Sequence, residues 1–234
     1  MSDKYDAIVI GAGIIGACTG YELAKRGLKV LNLDKLSEAG HGSTSGSCAI
    51  IRLHYSTPDG VAMAREGYYY WLDWPKYLKT VDETGLVKYI NTGCLVIKTE
   101  KNHYLEKVMA SLDELCVPYE DVAPEEIPSL FPILNTRSYG PPVLPSDERF
   151  GKPTAETIAG AIYIPESGLI SDPKQSVHNV QRAAEAAGGK FMFKAEVVDI
   201  RRRDNRVVGI TLKDGTEIDA PVVINVAGPH SYRI

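Results

Sequence analysis

Two short, mostly apolar runs open the chain, Ala7-Ile8-Val9-Ile10 and Val30-Leu31-Asn32-Leu33. Runs of this length without strict alternation suit strands buried on both faces of a parallel sheet. Between them Ile14, Ala17, Cys18, Tyr21 and Ala24 recur at helical spacing until Gly27 supplies a stop. Residues 5–34 thus predict strand, glycine turn, helix and strand, with Asp34 at the end of the second strand. The helix is long enough to form the right-handed crossover that a parallel pair requires.

The pattern changes downstream. Residues 38–47 are dominated by Gly, Ser and Thr with a single histidine, a loop composition. Residues 59–83 carry a helical pattern that includes Tyr68, Trp71, Leu72 and Leu78, with Pro75 placed to kink or break it. A strand is expected over 90–98 beside the turn-like Asn91-Thr92-Gly93, a second amphipathic helix over 101–115, and a proline-rich connection over 119–144. A new unit starts near Gly160 with a strand at 161–165. Asp172-Pro173 then opens a helix that runs to Ala187 and closes at Gly188-Gly189. Residues 194–219 read as a β-meander with turns at Asp204-Asn205 and Asp214-Gly215, and 222–226 as one more buried strand ending in Ala227-Gly228-Pro229.

Composition narrows the class without choosing a function. The 234 residues are 44% hydrophobic and 24% charged, which excludes a disordered, collagenous or coiled-coil chain. A net charge of −4 offers no whole-chain attraction for nucleic acid or anionic lipid, so the expected partner is a small molecule. The opening Met-Ser-Asp-Lys-Tyr-Asp lacks a secretory pattern, and the longest uncharged run, residues 7–21, is too short and glycine-rich for a membrane span. Cysteines at 18, 48, 94 and 116 form no C-x-x-C pair, and the five histidines show no ligand spacing. A reducing cytoplasm and no metal are the expectation.

The chemistry-bearing motif is Gly11-Ala12-Gly13-Ile14-Ile15-Gly16, a G-x-G-x-x-G between strand and helix. Its first glycine permits the tight turn, its second lets a pyrophosphate reach the backbone, and its third lets helix and strand pack closely. Phosphates would meet the N–H groups and positive dipole of the helix N-terminus. Asp34 sits where a carboxylate can accept hydrogen bonds from ribose hydroxyls. After Asp34 a nicotinamide-binding chain would continue into further crossovers, whereas this one runs into Gly42-Ser43-Thr44-Ser45-Gly46-Ser47. A second set of small, hydroxyl-bearing contacts suits an extended cofactor and favours FAD.

The stretch from Gly42 through Cys48-Ala49-Ile50-Ile51-Arg52-Leu53-His54-Tyr55, together with Thr92-Gly93, residues 160–165, Glu196-Val197-Val198 and Ala227-Gly228-Pro229-His230, resembles the D-amino-acid oxidase superfamily in its sarcosine oxidase and dimethylglycine dehydrogenase branch. The resemblance implies an α/β architecture: a glutathione-reductase-type, Rossmann-like FAD domain with an inserted α+β substrate domain, present only as the N-terminal portion of the family pattern. It places the first FAD-binding segment at 1–85, a substrate-domain segment at 86–150 and the second FAD-binding segment at 151–234.

Roles carry over residue by residue. Gly11, Gly13 and Gly16 would surround the pyrophosphate, Asp34 the adenosine ribose, and Ser43 and Thr44 the phosphates or ribityl chain. Val197 would hold the adenine through its backbone, and Ala227 and Gly228 would approach the dinucleotide from a second strand end. Ile14, Ile15, Lys35, Gly42 and Ser47 complete the implied cofactor set. Arg52 matches the arginine that holds a substrate carboxylate, a role suited to its guanidinium fork. His54 and Tyr55 are candidate pocket residues beside it, with ordinary packing as the alternative. The chain departs from the pattern at Ala49, where monomeric sarcosine oxidases have a second arginine, and at Gly46, where dimethylglycine dehydrogenases carry the histidine that attaches flavin.

The implied activity is FAD-dependent oxidation of a secondary or tertiary amino acid at its C–N bond to an imine. The alternatives are a 2-hydroxy acid or glycerol-phosphate dehydrogenase, and a non-catalytic FAD-binding subunit. The expected partners are a small amino acid substrate and a second polypeptide supplying the rest of the pattern.

Overall fold

The computed structural model describes residues 4–234. Residues 1–3, on which the reading of the N-terminal leader partly rests, lie outside the described residues. In chain order the elements are β1 (Ala7–Ile10), α1 (Ile14–Lys25), β2 (Val30–Leu33), β3 (Ile50–Ile51), α2 (Pro58–Leu72), α3 (Trp74–Leu78), β4 (Tyr89–Asn91), β5 (Cys94–Ile97), α4 (Glu106–Glu114), β6 (Glu120–Val122) and α5 (Ile127–Leu130). They continue with β7 (Ala161–Ile164), β8 (Gly168–Ile170), α6 (Pro173–Ala186), β9 (Lys190–Met192), β10 (Val197–Arg203), β11 (Arg206–Leu212), β12 (Glu217–Asp219) and β13 (Val222–Asn225). Among the described residues no helix is long and apolar enough to cross a membrane.

The chain divides into two compact units. The first is Met1–Ala49, Trp71–Tyr89 and Ile170–Ile234, and the second is Ile50–Tyr70 and Ile90–Leu169. This division differs from the one at 85 and 150, because strand pairing groups the residues differently. In the second unit β3 pairs with β8, and β7 pairs with both β5 and β6.

The first unit holds a parallel sheet in the order β13-β1-β2-β9. β1 and β2 are buried at every position, as their apolar runs require. α1 packs against α6, whose Asp172 caps its first turn by accepting from the Gln175 N–H at 2.9 Å. α1 also lies close to the sheet, because glycines face it. A Cβ at Gly16 would collide with the Gly11 carbonyl, and one at Gly20 would collide with the buried Asn32 side chain. Asn32 Nδ2 donates to the Gly16 carbonyl at 2.8 Å, which accounts for the one polar residue in β2. The antiparallel β10-β11-β12 sheet shares a core with the strands, in which Ile8 and Leu31 pack with Ile210 and Leu212.

The second unit is built on the antiparallel order β5-β7-β6, with Val122, Ile127 and Ala161 at its core. Gly160 enters β7 at φ +116°, where a Cβ would stand 2.7 Å from the Val122 carbonyl oxygen. The helix expected over 101–115 begins only at Glu106. Thr99 and Asn102 cap one another, and His103, Tyr104 and Leu105 then take positive φ, which stops an α-helix from running through them. The pattern over 59–83 likewise ends at Leu78: it splits at Asp73, and Pro75 sits in the first turn of α3, where its missing N–H is harmless.

A buried polar hub ties residues 82–87 to α6. The Asp82 carboxylate accepts from the Thr84 N–H at 2.8 Å, the Thr84 hydroxyl at 2.7 Å and Asn179 Nδ2 at 2.6 Å, and it lies 2.8 Å from His178 Nδ1. Asn179 Oδ1 accepts from the Val87 N–H and from the Trp74 indole. Burial pushes the Asp82 carboxyl up, but these hydrogen bonds outweigh it and hold its pKa at about 2. Its folded value lies below the unfolded one, so the stabilisation is present above about pH 4 and is lost as pH falls through about 2. Asp82→Asn is expected to lower unfolding stability by about 2 kcal/mol at neutral pH. In urea titrations followed by tryptophan fluorescence, that gap from the parent should stay constant down to about pH 5 and narrow below it.

Candidate functional site

The end of β1 is a steric construction. Gly11 has φ +109°, its N–H donates to the Leu33 carbonyl at 2.8 Å, and a Cβ there would stand 2.5 Å from the Val226 carbonyl oxygen. The chain then enters α1 with Gly13 as N-cap. Gly13 itself has no side chain with which to cap the helix, and no acidic residue occupies the first turn. Ile15 in that turn is 67% exposed.

The hydroxyl-rich loop folds over this helix end. The Gly40 N–H donates to the Ala12 carbonyl at 2.8 Å, and the Ile14 N–H donates to Thr44 Oγ1 at 3.1 Å. A Cβ at Gly13 would sit 3.2 Å from that hydroxyl. Gly42, Ser43 and Ser47 are exposed beside it in sequence. Asp34 braces the turn from the other side: Oδ2 accepts from the Ala12 N–H at 2.8 Å and Oδ1 from the Leu36 N–H at 2.9 Å. The carboxylate is therefore fixed in place, with lone pairs left for further donors. Lys35 is exposed next to it. The Ala195 N–H donates to the Asp34 carbonyl, which brings the start of β10 to this end of the sheet. There the Val197 side chain is buried in the core while its backbone runs in the ladder with β11. Past β13, Ala227 is half-buried and Gly228 turns at φ +62° with open space where a Cβ would be.

These residues fit a dinucleotide. Bare backbone at 11–16, a helix N-terminus with no acidic residue in its first turn, a fixed carboxylate at the end of β2 and a hydroxyl loop give the donors and acceptors that a pyrophosphate and ribose need.

The other three candidates lie in the second unit. The Arg52 guanidinium stands 4.7 Å from the centre of the Tyr55 ring, a cation–π stack. Tyr55 packs so closely on the start of α2 that a Cβ at Gly60 would be 2.9 Å from its own Cβ. Among the described residues no carboxylate pairs with Arg52. Burial, and then the Arg52 charge, lower the pKa of His54 and keep its imidazole neutral at pH 7. His54 Nδ1 is buried without a hydrogen-bond partner.

Sequence reading passed over three residues with a part here, Gly20, Asn32 and Asp82, and the helix-capping contact of a fourth, Thr44. Gly20 and Asn32 set the depth of α1, Thr44 caps that helix from another loop, and Asp82 anchors α6. Gly20 repeats the four-residue spacing after Gly16 and could have been noticed. The partners of Thr44 and Asp82 are 30 and 96 positions away, so no local pattern reveals them. Asp82, Glu83 and His178 also come within 4.8 Å of one another. Their hydrogen bonds, with the Arg182 guanidinium on Glu83, make them a structural tie.

A sequence model of FAD dependent oxidoreductases matches residues 6–234. The chain belongs to this family. FAD is accordingly its cofactor, and the glycine turn, Asp34 and the hydroxyl loop are the residues available to hold it. Among FAD dependent oxidoreductases, the peroxisomal sarcosine oxidase of Mus musculus is 32% identical over all 234 residues of this chain and 53% of its own length. A glycerol 3-phosphate dehydrogenase of Caloramator mitchellensis is 27% identical over 98% of this chain and 43% of its own. The crystal structure of L-proline dehydrogenase from P. horikoshii superposes with a TM-score of 0.79 at 22% identity, covering 100% of this chain and 55% of that one. It shares the fold. The chain thus spans about half the length of these relatives.

Two glycine substitutions separate cradle from scaffold. Gly13→Ala, at φ −75° and with only the Thr44 hydroxyl to displace, should keep the melting temperature within a few degrees and weaken FAD binding about tenfold or more in flavin-fluorescence titrations. Gly16→Ala forces its Cβ onto the Gly11 carbonyl and should lower the melting temperature as well.

Proposed function

We propose that the chain forms the FAD-holding part of an enzyme that oxidises a secondary or tertiary amino acid, of the N-methylglycine kind, at its C–N bond to an imine that water hydrolyses. When bound, FAD supplies the two-electron acceptor. The protein's share is position and charge. The glycine turn and hydroxyl loop hold the dinucleotide, and Arg52 holds the substrate carboxylate in a bidentate grip. Tyr55 fixes the plane of the guanidinium, and neutral His54 adds a hydrogen-bonding group without a competing charge. In this reading residues 1–85 and 151–234 hold the cofactor, apart from Arg52, His54 and Tyr55, which serve the substrate together with residues 86–150, and the reducing cytoplasm is the site of action.

The observation that carries the reading is Arg52, an exposed guanidinium held on an aromatic ring with no carboxylate of the described residues as its partner. An arginine left without an acid and held in one plane suits a carboxylate from solution. The likeness to mouse sarcosine oxidase over the whole chain supports an amino acid as its owner. A second reading, a substrate with a hydroxyl in place of the amine, is favoured by the likeness to the Caloramator glycerol 3-phosphate dehydrogenase.

In the FAD-loaded chain, Arg52→Ala should weaken N-methylglycine binding about 100-fold, the loss of a charge-assisted pair of about 2–3 kcal/mol, and leave FAD affinity unchanged. Arg52→Lys should recover only part. Binding is read from the change in flavin fluorescence and reduction from anaerobic bleaching. Equal affinity in parent and Arg52→Ala, or bleaching by glycerol 3-phosphate and by no N-methyl amino acid, would overturn the assignment.

A further inference from the structure

Both tryptophans of the chain, Trp71 and Trp74, stack on one another with ring centres 4.3 Å apart and planes 23° from parallel. Trp74 and Tyr77 are three residues apart on α3, so they share a face of it, and their ring centres lie 5.5 Å apart. Tyr21 of α1 meets the Tyr77 ring edge-on at 5.4 Å. Indoles and phenols give up single electrons more easily than other rings. Four of them stand in series within the first unit, from the half-buried Trp71 through the buried Trp74 to Tyr77 and Tyr21.

The two phenols differ in what receives their hydrogen. The Tyr21 hydroxyl donates to the backbone carbonyls of Tyr77 and Leu78, which are not bases. The Tyr77 hydroxyl donates to Glu22 Oε1 at 3.1 Å. Burial pushes the Glu22 carboxyl up, but hydrogen bonds from Lys25, Arg26 and Tyr77 outweigh it and hold the group below the usual carboxylate range. It is therefore ionised at neutral pH and can take a proton. Cys18 also hydrogen-bonds with Tyr77, but burial pushes its pKa up to about 12, so it stays a thiol and leaves Glu22 as the base. Lys25 Nζ lies 4.9 Å from the centre of the Tyr77 ring, where its charge opposes a positively charged ring. Tyr77 thus loses an electron readily only when its proton leaves with it. The Trp74 indole donates instead to the Asn179 amide oxygen at 3.3 Å, which cannot take the proton, so an oxidised Trp74 stays charged and strongly oxidising.

We propose that Trp71, Trp74 and Tyr77 form a radical relay, in which a one-electron oxidant from solution is reduced at Trp71 and the electron deficiency passes along the row to rest on Tyr77. An oxidising radical removes one electron from Trp71 and leaves as its anion. Trp71 regains an electron from Trp74, and Trp74 from Tyr77. In the last transfer the phenol O–H bond breaks, its proton goes to Glu22 Oε1, and a neutral tyrosyl radical remains beside an uncharged carboxyl. One electron has left the protein and both indoles are restored. This activity, interception of one-electron oxidants, is separate from the two-electron chemistry of FAD and does not depend on the substrate assignment.

The test is pulse radiolysis of the FAD-loaded chain in azide buffer. Azide radicals oxidise tryptophan ahead of other residues, and with no tryptophan elsewhere in the chain every indole radical starts in this pair. The visible band of the indole radical should decay as the tyrosyl band grows, at a rate independent of protein concentration. Tyr77→Phe keeps the ring and Glu22→Gln removes only the base, and each should slow that decay about 100-fold, the usual loss when a positioned proton acceptor is taken away. Tyr21→Phe should leave the rate unchanged. Melting temperatures of the variants register any loss of packing separately, and Glu22 lies at the surface, so Glu22→Gln tests the relay even if Tyr77→Phe fails to fold. A transfer rate that rises with protein concentration overturns the proposal. So does an unchanged rate in Tyr77→Phe or Glu22→Gln, or loss of the fast transfer in Tyr21→Phe.

Discussion

The first unit depends on backbone packed directly against backbone at two glycines. Gly16 rests on the carbonyl of Gly11, and Gly11 rests on the carbonyl of Val226, so helix α1, the end of β1 and the end of β13 meet through backbone contacts. That approach determines where the N-terminal N–H groups of α1 point and how near a phosphate can come. The other features of the cofactor cradle are braces on the same contact. Asp34 and Leu33 hold the turn from the β2 side, and Thr44 holds it from the loop side. A methyl group at either glycine would push apart elements that are otherwise closely packed.

A cradle of backbone donors has a chemical consequence. Backbone donors attract phosphate through geometry and partial charge rather than through a formal charge. The exposed cation Arg52, stacked on Tyr55, belongs to the second unit. Polar groups with no ligand duty are tied up internally, as Asp82, Asn179 and Trp74 show.

The strongest elements were legible because each is its own local argument. β1, α1 and β2 follow from apolar runs on either side of a glycine turn, α6 from an Asp-Pro cap and a Gly-Gly stop, and the meander from two turn dipeptides. β3, β6, β8 and β9 were not, since strands of two or three residues show no period and exist only because a partner strand is present. The kink over 103–105 was hidden for a similar reason: helical spacing continues through residues whose backbone turns left-handed.

By itself the sequence determined the chemistry of the turn: G-x-G-x-x-G between a buried strand and a helix, an acid at the next strand end, and a loop of small hydroxyl residues. These are steric and local facts, set by which residues lack a Cβ and which carry an oxygen. Only the tertiary structure decided that Thr44 caps α1, that both oxygens of Asp34 are bonded to backbone N–H groups, and that Arg52 lies on Tyr55. Each of these depends on how residues are brought together by packing, and packing is settled by the burial of the whole core rather than by any one stretch of chain.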